Sequence, residues 1–475
     1  MLFPTVDFGV FFAVVLAAYW AARRWAIAWR LLLLGASYFF YAYWNPALCL
    51  LLGGSTVANW LLGEATHRSL VIGSRSRRTQ LLLFLTVASN LAVLGWFKYY
   101  GFFATEVRSG LAGAGLDLPL PLIQVALPVG ISFFTFQGIS YVVDIARGTI
   151  PRPLGLLDFA LFQSFFPHLV AGPIVRASEI GPQLARPLSA REIDVQGALL
   201  LILAGLFKKV VISSFLAEQI VDPVFAVPGD HSRAEILLAT YAYAVQIFAD
   251  FSGYTDIAIG CALLLGFRFP KNFDAPYRAL SMQDFWRRWH MTLSRWLRDY
   301  LYIGLGGNRG RGIFTARNLL LTMVLGGLWH GAAWTFVAWG AIHGLALVAE
   351  RFVPLLRPSE HRGLSGANIL RWLVTFHLVC FAWVFFRAES IGLAFDMFTG
   401  LWQGGPGQSF VSPLLLAVVA LAIASQFLSA ATLARARAAF GRLSLAPQAA
   451  CLAAGLVLVD AFGPAGVAPF IYFQF

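Results

Sequence analysis

Apolar runs recur along the chain from residue 8 almost to residue 475, broken only by short polar or basic stretches. A helix needs about 20 apolar residues to cross a hydrocarbon core, because lipid offers the backbone no hydrogen-bond partner. That length marks candidates at 8–22, 31–44, 47–63, 80–103, 123–145, 156–172, 196–216, 235–266, 316–330, 332–353, 369–387, 411–430 and 447–460. The pattern predicts an all-α polytopic membrane protein, a single domain over 1–475 with about 11 crossings. Segment 156–172 contains Pro167, His168 and Gly172 and runs into Pro173. It predicts a broken or re-entrant element, tolerable only where protein or water surrounds it.

Composition excludes a water-soluble fold: 59% of the 475 residues are hydrophobic and 12% charged, against about 25% charged in soluble domains. The net charge of +12 reads first as cytoplasmic loops and anionic headgroups, not as a nucleic-acid footprint. Arg23, Arg24 and Arg30 follow the first apolar stretch, which makes that stretch a retained helix with an extracytoplasmic N-terminus. A hinge at Asn45 and Pro46 returns the chain to a basic loop at 68–78. Between Arg268 and Arg317 lie ten Lys/Arg against three acids, and this stretch is expected in the cytoplasm. Cys49, Cys261, Cys380 and Cys451 have neither disulfide-framework nor metal-site spacing, so no metal is predicted. Flexible links are expected at 404–407 and 435–442.

At 100° per residue, 281–303 places Met282, Phe285, Trp286, Trp289, Leu293, Trp296, Leu297 and Tyr300 on one arc and Arg287, Arg288, Arg295 and Arg298 on another. This predicts an amphipathic helix lying along the cytoplasmic interface, with His290 at the boundary of the arcs. Two uses of the arginines stay open: gripping anionic lipid, or holding the phosphates of a cofactor such as coenzyme A.

His330 lies among Gly326, Gly327, Leu328, Trp329 and Gly331 in an otherwise apolar run. An ionisable group at membrane depth faces the protein interior or a wet cavity, and imidazole is the usual base near neutral pH. His330 is therefore the leading catalytic candidate, the alternative being a histidine hydrogen-bonded between helices. Asp250 and Tyr254 share a helix face, whereas Asp256 is turned away from Asp250. The two carboxylates are expected to pair with arginine, tyrosine or backbone. His168 is a weaker candidate, His343 and His377 are expected as packed, satisfied histidines, and His67, His231 and His361 carry no signal.

The strings themselves then point to a family. Trp-Arg-Arg-Trp-His-Met-Thr-Leu-Ser at 286–294, Trp-Leu-Arg-Asp-Tyr-Leu-Tyr at 296–302 and Gly-Gly-Asn-Arg at 306–309 resemble the signature of bacterial membrane-bound O-acyltransferases. So do Asp-Phe-Ser-Gly-Tyr-Thr-Asp-Ile-Ala at 250–258, Lys-Asn-Phe-Asp-Ala-Pro-Tyr at 271–277 and Leu-Trp-His-Gly at 328–331. Further matches lie at 132–137, 141–144, 166–173, 385–388 and 470–475, in the family's order, and the set covers about residues 80–475. The branch most similar is the membrane subunit that serves alginate O-acetylation. Related members serve cellulose or peptidoglycan acetylation, and a cousin serves D-alanylation of teichoic acids.

The resemblance implies a ring-like helical bundle with a central tunnel and re-entrant or interfacial helices, set in the inner membrane of a Gram-negative cell. It places the catalytic histidine on His330 and a second motif histidine on His290. The implied donor is acetyl-coenzyme A, used as a substrate with no permanently bound cofactor. Lys271, Arg287 and Arg288 would hold its phosphates, and Asn272 and Ser294 would supply polar contacts. Implied partners are membrane lipids, an extracytoplasmic serine-hydrolase-like acetyltransferase, and polysaccharide synthesis and export proteins. Tyr472 is a possible acyl carrier, or an aromatic anchor at the interface. Readings that stay open are D-alanyl or other acyl transfer to a cell-envelope polymer, transport, and a non-catalytic export or scaffold subunit.

Overall fold

The computed structural model describes residues 1–73, 76–116, 127–353, 365–408 and 410–463. The described residues form helices and no strand. Seven helices among them are long and apolar enough to cross a membrane: Leu48–Ile72, Arg77–Gly113, Val195–Ala226, Arg233–Leu264, Gly312–His330, Gly366–Arg387 and Leu445–Phe462. An eighth span results if Pro413–Ser425 and Ala430–Gly441, bent by 100° at their junction, count as one. Val6–Ala22, Ala26–Ala42 and Ile131–Ala146 are apolar but shorter. Serines start many of these helices: Ser76, Ser365, Ser390, Ser412 and Ser429 each accept a backbone N–H from the first turn, which pairs a donor the helix cannot pair itself.

The chain divides into two compact units, Met1–Asp194 with Cys261–Pro270, and Val195–Gly260 with Lys271–Phe475. In the first, Phe8, Phe11, Phe40 and Phe166 form one aromatic cluster. Polar groups pair within it. Asn90 Nδ2 donates to Asn59 Oδ1 at 2.7 Å and Asn59 Nδ2 returns the bond at 3.3 Å, while Arg30 binds Asp158 at 2.7 Å and the Leu184 carbonyl at 2.9 Å. The element expected to be broken is broken. Helix Leu156–Ser164 stops at Phe165, a four-residue helix Phe166–Leu169 follows, and the chain then runs on irregularly. His168 is fully buried there, with Nε2 donating to the Phe162 carbonyl at 2.8 Å and Phe162, Phe165 and Phe269 around it.

In the second unit, helices Val195–Leu206 and Arg233–Leu264 cross on glycine. A Cβ at Gly253 would stand 2.7 Å from the Gly205 carbonyl oxygen, one at Gly205 2.6 Å from the Gly253 carbonyl oxygen, and one at Gly260 2.8 Å from the Ala198 carbonyl oxygen. The seven-residue spacing of 198 and 205, matched by 253 and 260, makes a seam of small residues along which two backbones touch. Just past it the first helix widens into π turns at Phe207–Ser213 and Ala217–Val221.

The hairpin of Gly312–His330 and Trp334–Phe352 is closed in the same way. A Cβ at Gly327 would meet the Phe336 carbonyl oxygen at 2.2 Å, and one at Gly340 the Met323 carbonyl oxygen at 2.4 Å. Two sequence expectations fail here. Segment 281–303 is not one helix but Met282–Trp286 and Met291–Trp296 followed by a π turn, Leu297–Tyr302, with His290 left-handed at the break. Its apolar arc is buried in protein from Met282 to Leu297, and Tyr300 is half-buried. Segment 435–442 is no flexible link, because helix Ala430–Gly441 runs through most of it.

Gly253→Leu is expected to lower thermal stability in detergent, overpacking of this kind costing about 1–3 kcal/mol. Gly101→Ala, in a helix with open space at the position, should leave the melting temperature unchanged or raise it slightly.

Candidate active site

His330 is the last residue of its helix, and the chain leaves it through Gly331 in extended backbone. A Cβ on Gly331 would stand 2.0 Å from the Phe336 ring, so only glycine lets the hairpin close over the histidine. The imidazole is 3% exposed. Its ring meets Trp329 at 5.1 Å, Trp339 at 5.0 Å and Phe386 at 5.2 Å between centroids, each edge to face. Such walls are apolar and limit the access of water.

His290 lies in the same unit. Its ring packs edge-on against Phe251 at 4.6 Å and lies 6.2 Å from Trp329, which also touches His330. The strand-like segment beside it is clasped by two backbone bonds, Asp274 N–H to the Arg288 carbonyl and Met291 N–H to the Asn272 carbonyl, both 2.9 Å. Asn272 is buried beneath His290, with Oδ1 3.1 Å from His290 Nδ1.

The basic residues expected to hold phosphates are distributed unequally. Arg288 is buried and engaged by Asp284 at 3.0 Å, the Asp274 carboxylate at 3.6 Å and the Asp274 carbonyl at 3.2 Å. Lys271 is exposed and bonds Asp274 at 2.7 Å. That bond, with the charges of Lys271, Arg288 and Arg278, holds the Asp274 carboxyl below the usual range in spite of partial burial. Ser294 Oγ donates to the Trp286 carbonyl at 2.8 Å. Arg287 is exposed. Asn272, Ser294 and Arg288 thus bond within the protein, while Lys271 and Arg287 face outward. Tyr472 lies outside the described residues.

The Asp250 and Asp256 carboxylates pair with lysines. Lys208 bonds Asp256 at 2.5 Å and Ser252 at 3.0 Å. Lys209 bonds Asp250, buried on both sides, and Ser213 Oγ reaches the same oxygen at 3.3 Å. Both lysines come from the π turn at Phe207–Ser213, whose extra residue per turn brings adjacent side chains toward one partner helix. The signal was legible: two lysines in an apolar run demand carboxylates nearby.

Two histidines depart from expectation. His343 is fully buried against Trp339 at 4.6 Å and Trp286 at 5.3 Å, yet neither ring nitrogen has a hydrogen-bond partner among the described residues. It is packed but not satisfied. His231, read as carrying no signal, is buried with Nδ1 3.6 Å from Glu235. Glu235 also accepts from Ser232 and from the Gln408 and Phe410 backbone, pinning the loop expected to be flexible at 404–407. His377 is satisfied by Tyr241 Oη at 2.9 Å and the Leu373 carbonyl at 2.7 Å, although it is exposed. Among the described residues no cluster of three His, Cys, Asp or Glu is placed to hold a metal ion.

The family model for membrane-bound O-acyltransferases matches residues 120–394, a span that holds His290, His330 and the glycine-closed hairpin. "Probable alginate O-acetylase AlgI" of Pseudomonas aeruginosa is 43% identical over 383 residues, 80% of this chain and 71% of that protein. The chain belongs to the membrane-bound O-acyltransferase family. "Peptidoglycan O-acetyltransferase" of Helicobacter pylori is 40% identical over 78% of this chain and 73% of its own length. "Teichoic acid D-alanyltransferase" of Bacillus subtilis is 27% identical over 55% and 69%. His290 and His330 lie in one compact unit of this O-acyltransferase, both buried and both in contact with Trp329.

Asp250→Ala leaves Lys209 buried without its carboxylate, a change expected to cost about 3–5 kcal/mol. The double variant Asp250→Leu/Lys209→Met should unfold at a higher temperature than either single variant. Detergent-solubilised protein followed by thermal unfolding checks both.

Proposed function

We propose that the protein transfers an acetyl group from cytoplasmic acetyl-coenzyme A toward O-acetylation of an extracytoplasmic, alginate-like polysaccharide, with His330 as general base. The observation that carries this reading is the enclosure of His330 by Trp329, Trp339 and Phe386, beside a second buried imidazole at His290. Acyl transfer from a thioester to a hydroxyl needs a base for the hydroxyl proton, donors for the developing oxyanion, and exclusion of water that would hydrolyse the donor. In the reaction, His330 takes the hydroxyl proton as the oxygen attacks the thioester carbonyl. The new C–O bond forms, the C–S bond breaks, and the departing thiolate recovers the proton from the imidazolium.

His290 sits at the thioester end of this arrangement, and the outward-facing Lys271 and Arg287 contribute charge toward the donor's phosphates. The names of the relatives in Pseudomonas and Helicobacter support acetyl as the acyl group and a cell-envelope polymer as the destination. The inner membrane, an extracytoplasmic N-terminus and a separate extracytoplasmic serine-hydrolase-like acetyltransferase complete the reading, with polysaccharide synthesis and export proteins as neighbours. Tyr472 as acyl carrier belongs to the same reading and is tested by mass spectrometry of the C-terminal peptide after turnover.

His330→Ala is expected to lower transfer of label from acetyl-coenzyme A by about 10² to 10⁴ fold with expression unchanged. Full activity of that variant would refute the assignment. Transfer of D-alanine from a carrier protein, with none from acetyl-coenzyme A, would favour the D-alanylating relatives instead.

A further inference from the structure

His290 holds a left-handed backbone, φ 41° and ψ 53°, a conformation that costs energy for any residue with a Cβ and that concentrates at functional sites. Its ring is fully buried. Nδ1 lies 3.1 Å from Asn272 Oδ1, and the same oxygen takes the Thr292 backbone N–H at 3.2 Å and the Thr292 hydroxyl at 2.8 Å. A backbone N–H can only donate, so the amide atom facing it is the oxygen and not the nitrogen. An amide oxygen can only accept. The proton of the neutral ring therefore sits on Nδ1, and Nε2 carries the lone pair.

Burial alone pushes His290 down to about 3, so the ring is neutral at physiological pH. Nε2 has no hydrogen-bond partner among the described residues. The walls around the ring are Phe251, Phe273 and Trp329. Ionisable groups on those elements are otherwise engaged or set apart: Asp250 by Lys209, Asp274 by Lys271 and Arg288, and His330 beyond Trp329.

We infer that Asn272 is a positioning residue that locks His290 in its Nδ1–H tautomer, so that Nε2 stands as a hydrogen-bond acceptor for an amide N–H on the pantetheine arm of the acyl donor. The inference rests on the acyl-transfer reading. A thioester group offers only acceptors, and the first donor along such an arm is the amide N–H two carbons from sulfur. A group that holds the arm in register must therefore accept. An Nε2–H tautomer would present a second donor there and leave that amide unpaired in an apolar wall. This role differs from the direct donor contact that the sequence alone assigns to Asn272.

Two measurements test it. In ¹⁵N-histidine-labelled protein in detergent, with His290 assigned by loss of its signal in His290→Gln, the wild type should show the Nδ1–H pattern. Asn272→Ala should shift it toward a mixture. An Nε2–H pattern in the wild type overturns the inference whether or not the protein acetylates anything, which separates its failure from failure of the acetyl-transfer reading.

The second measurement uses Asn272→Asp. A carboxylate can accept the same three bonds but draws His290 to imidazolium, raising its pKa. Below the raised pKa the lone pair is lost, and it returns as pH rises. KM for acetyl-coenzyme A in this variant should therefore rise about tenfold toward acid pH, with a smaller change in kcat, while wild type shows no such limb. A KM profile for Asn272→Asp that parallels wild type would contradict the positioning role.

Discussion

In a hydrocarbon surround a polar side chain can be satisfied only from within the protein, and the unit that carries both motif histidines is organised by that constraint. Asp250 and Asp256 on the Arg233–Leu264 helix are each closed by a lysine from a single π turn. Those lysines reach their carboxylates because Gly205 and Gly253 let two backbones touch. Replace the glycines and the helices separate; separate the helices and two buried charges lose their partners. Close packing and charge pairing are thus one arrangement, and neither could be kept without the other.

The same economy of space shapes the reaction centre. Gly327, Gly331 and Gly340 allow the hairpin to fold onto itself, which sets Trp339 and Phe386 against His330. Walls of indole and phenyl rings keep the imidazole from bulk water, and under the proposed reaction they would protect a thioester from hydrolysis. Around His290 the device is different. A strained left-handed turn, clasped by backbone bonds at Asp274 and Met291, presents one ring whose polar edge is already committed to Asn272.

Much of this was legible in the sequence and some was not. The burial of His330 follows from its place in an apolar run between glycines, and the break at 165–173 follows from its prolines and glycines. The two arcs across 281–303 separate most buried from most exposed positions: Arg287 and Arg298 are exposed, Arg295 and Tyr300 are half-buried, and Arg288 is drawn inward by Asp274 and Asp284. Periodicity cannot reveal that the segment breaks at His290, since a left-handed residue leaves no mark on a hydrophobic pattern. The pairing of Lys208 and Lys209 with one helix leaves no mark on a helical period, since adjacent residues on an ordinary helix point about 100° apart, whereas here both lie in a π turn. His343 was misjudged for a related reason: apolar flanks show that a residue is buried, not whether its nitrogens are paired.

We propose that acyl transfer is centred on His330. The most direct test is a density map of the protein bound to a non-transferable thioether or ketone analogue of acetyl-coenzyme A. The account predicts the acyl carbon beside His330, with room for a hydroxyl within hydrogen-bond reach of the imidazole. An analogue bound with its acyl end far from that ring, in a protein that still acetylates when given the true donor, would contradict it.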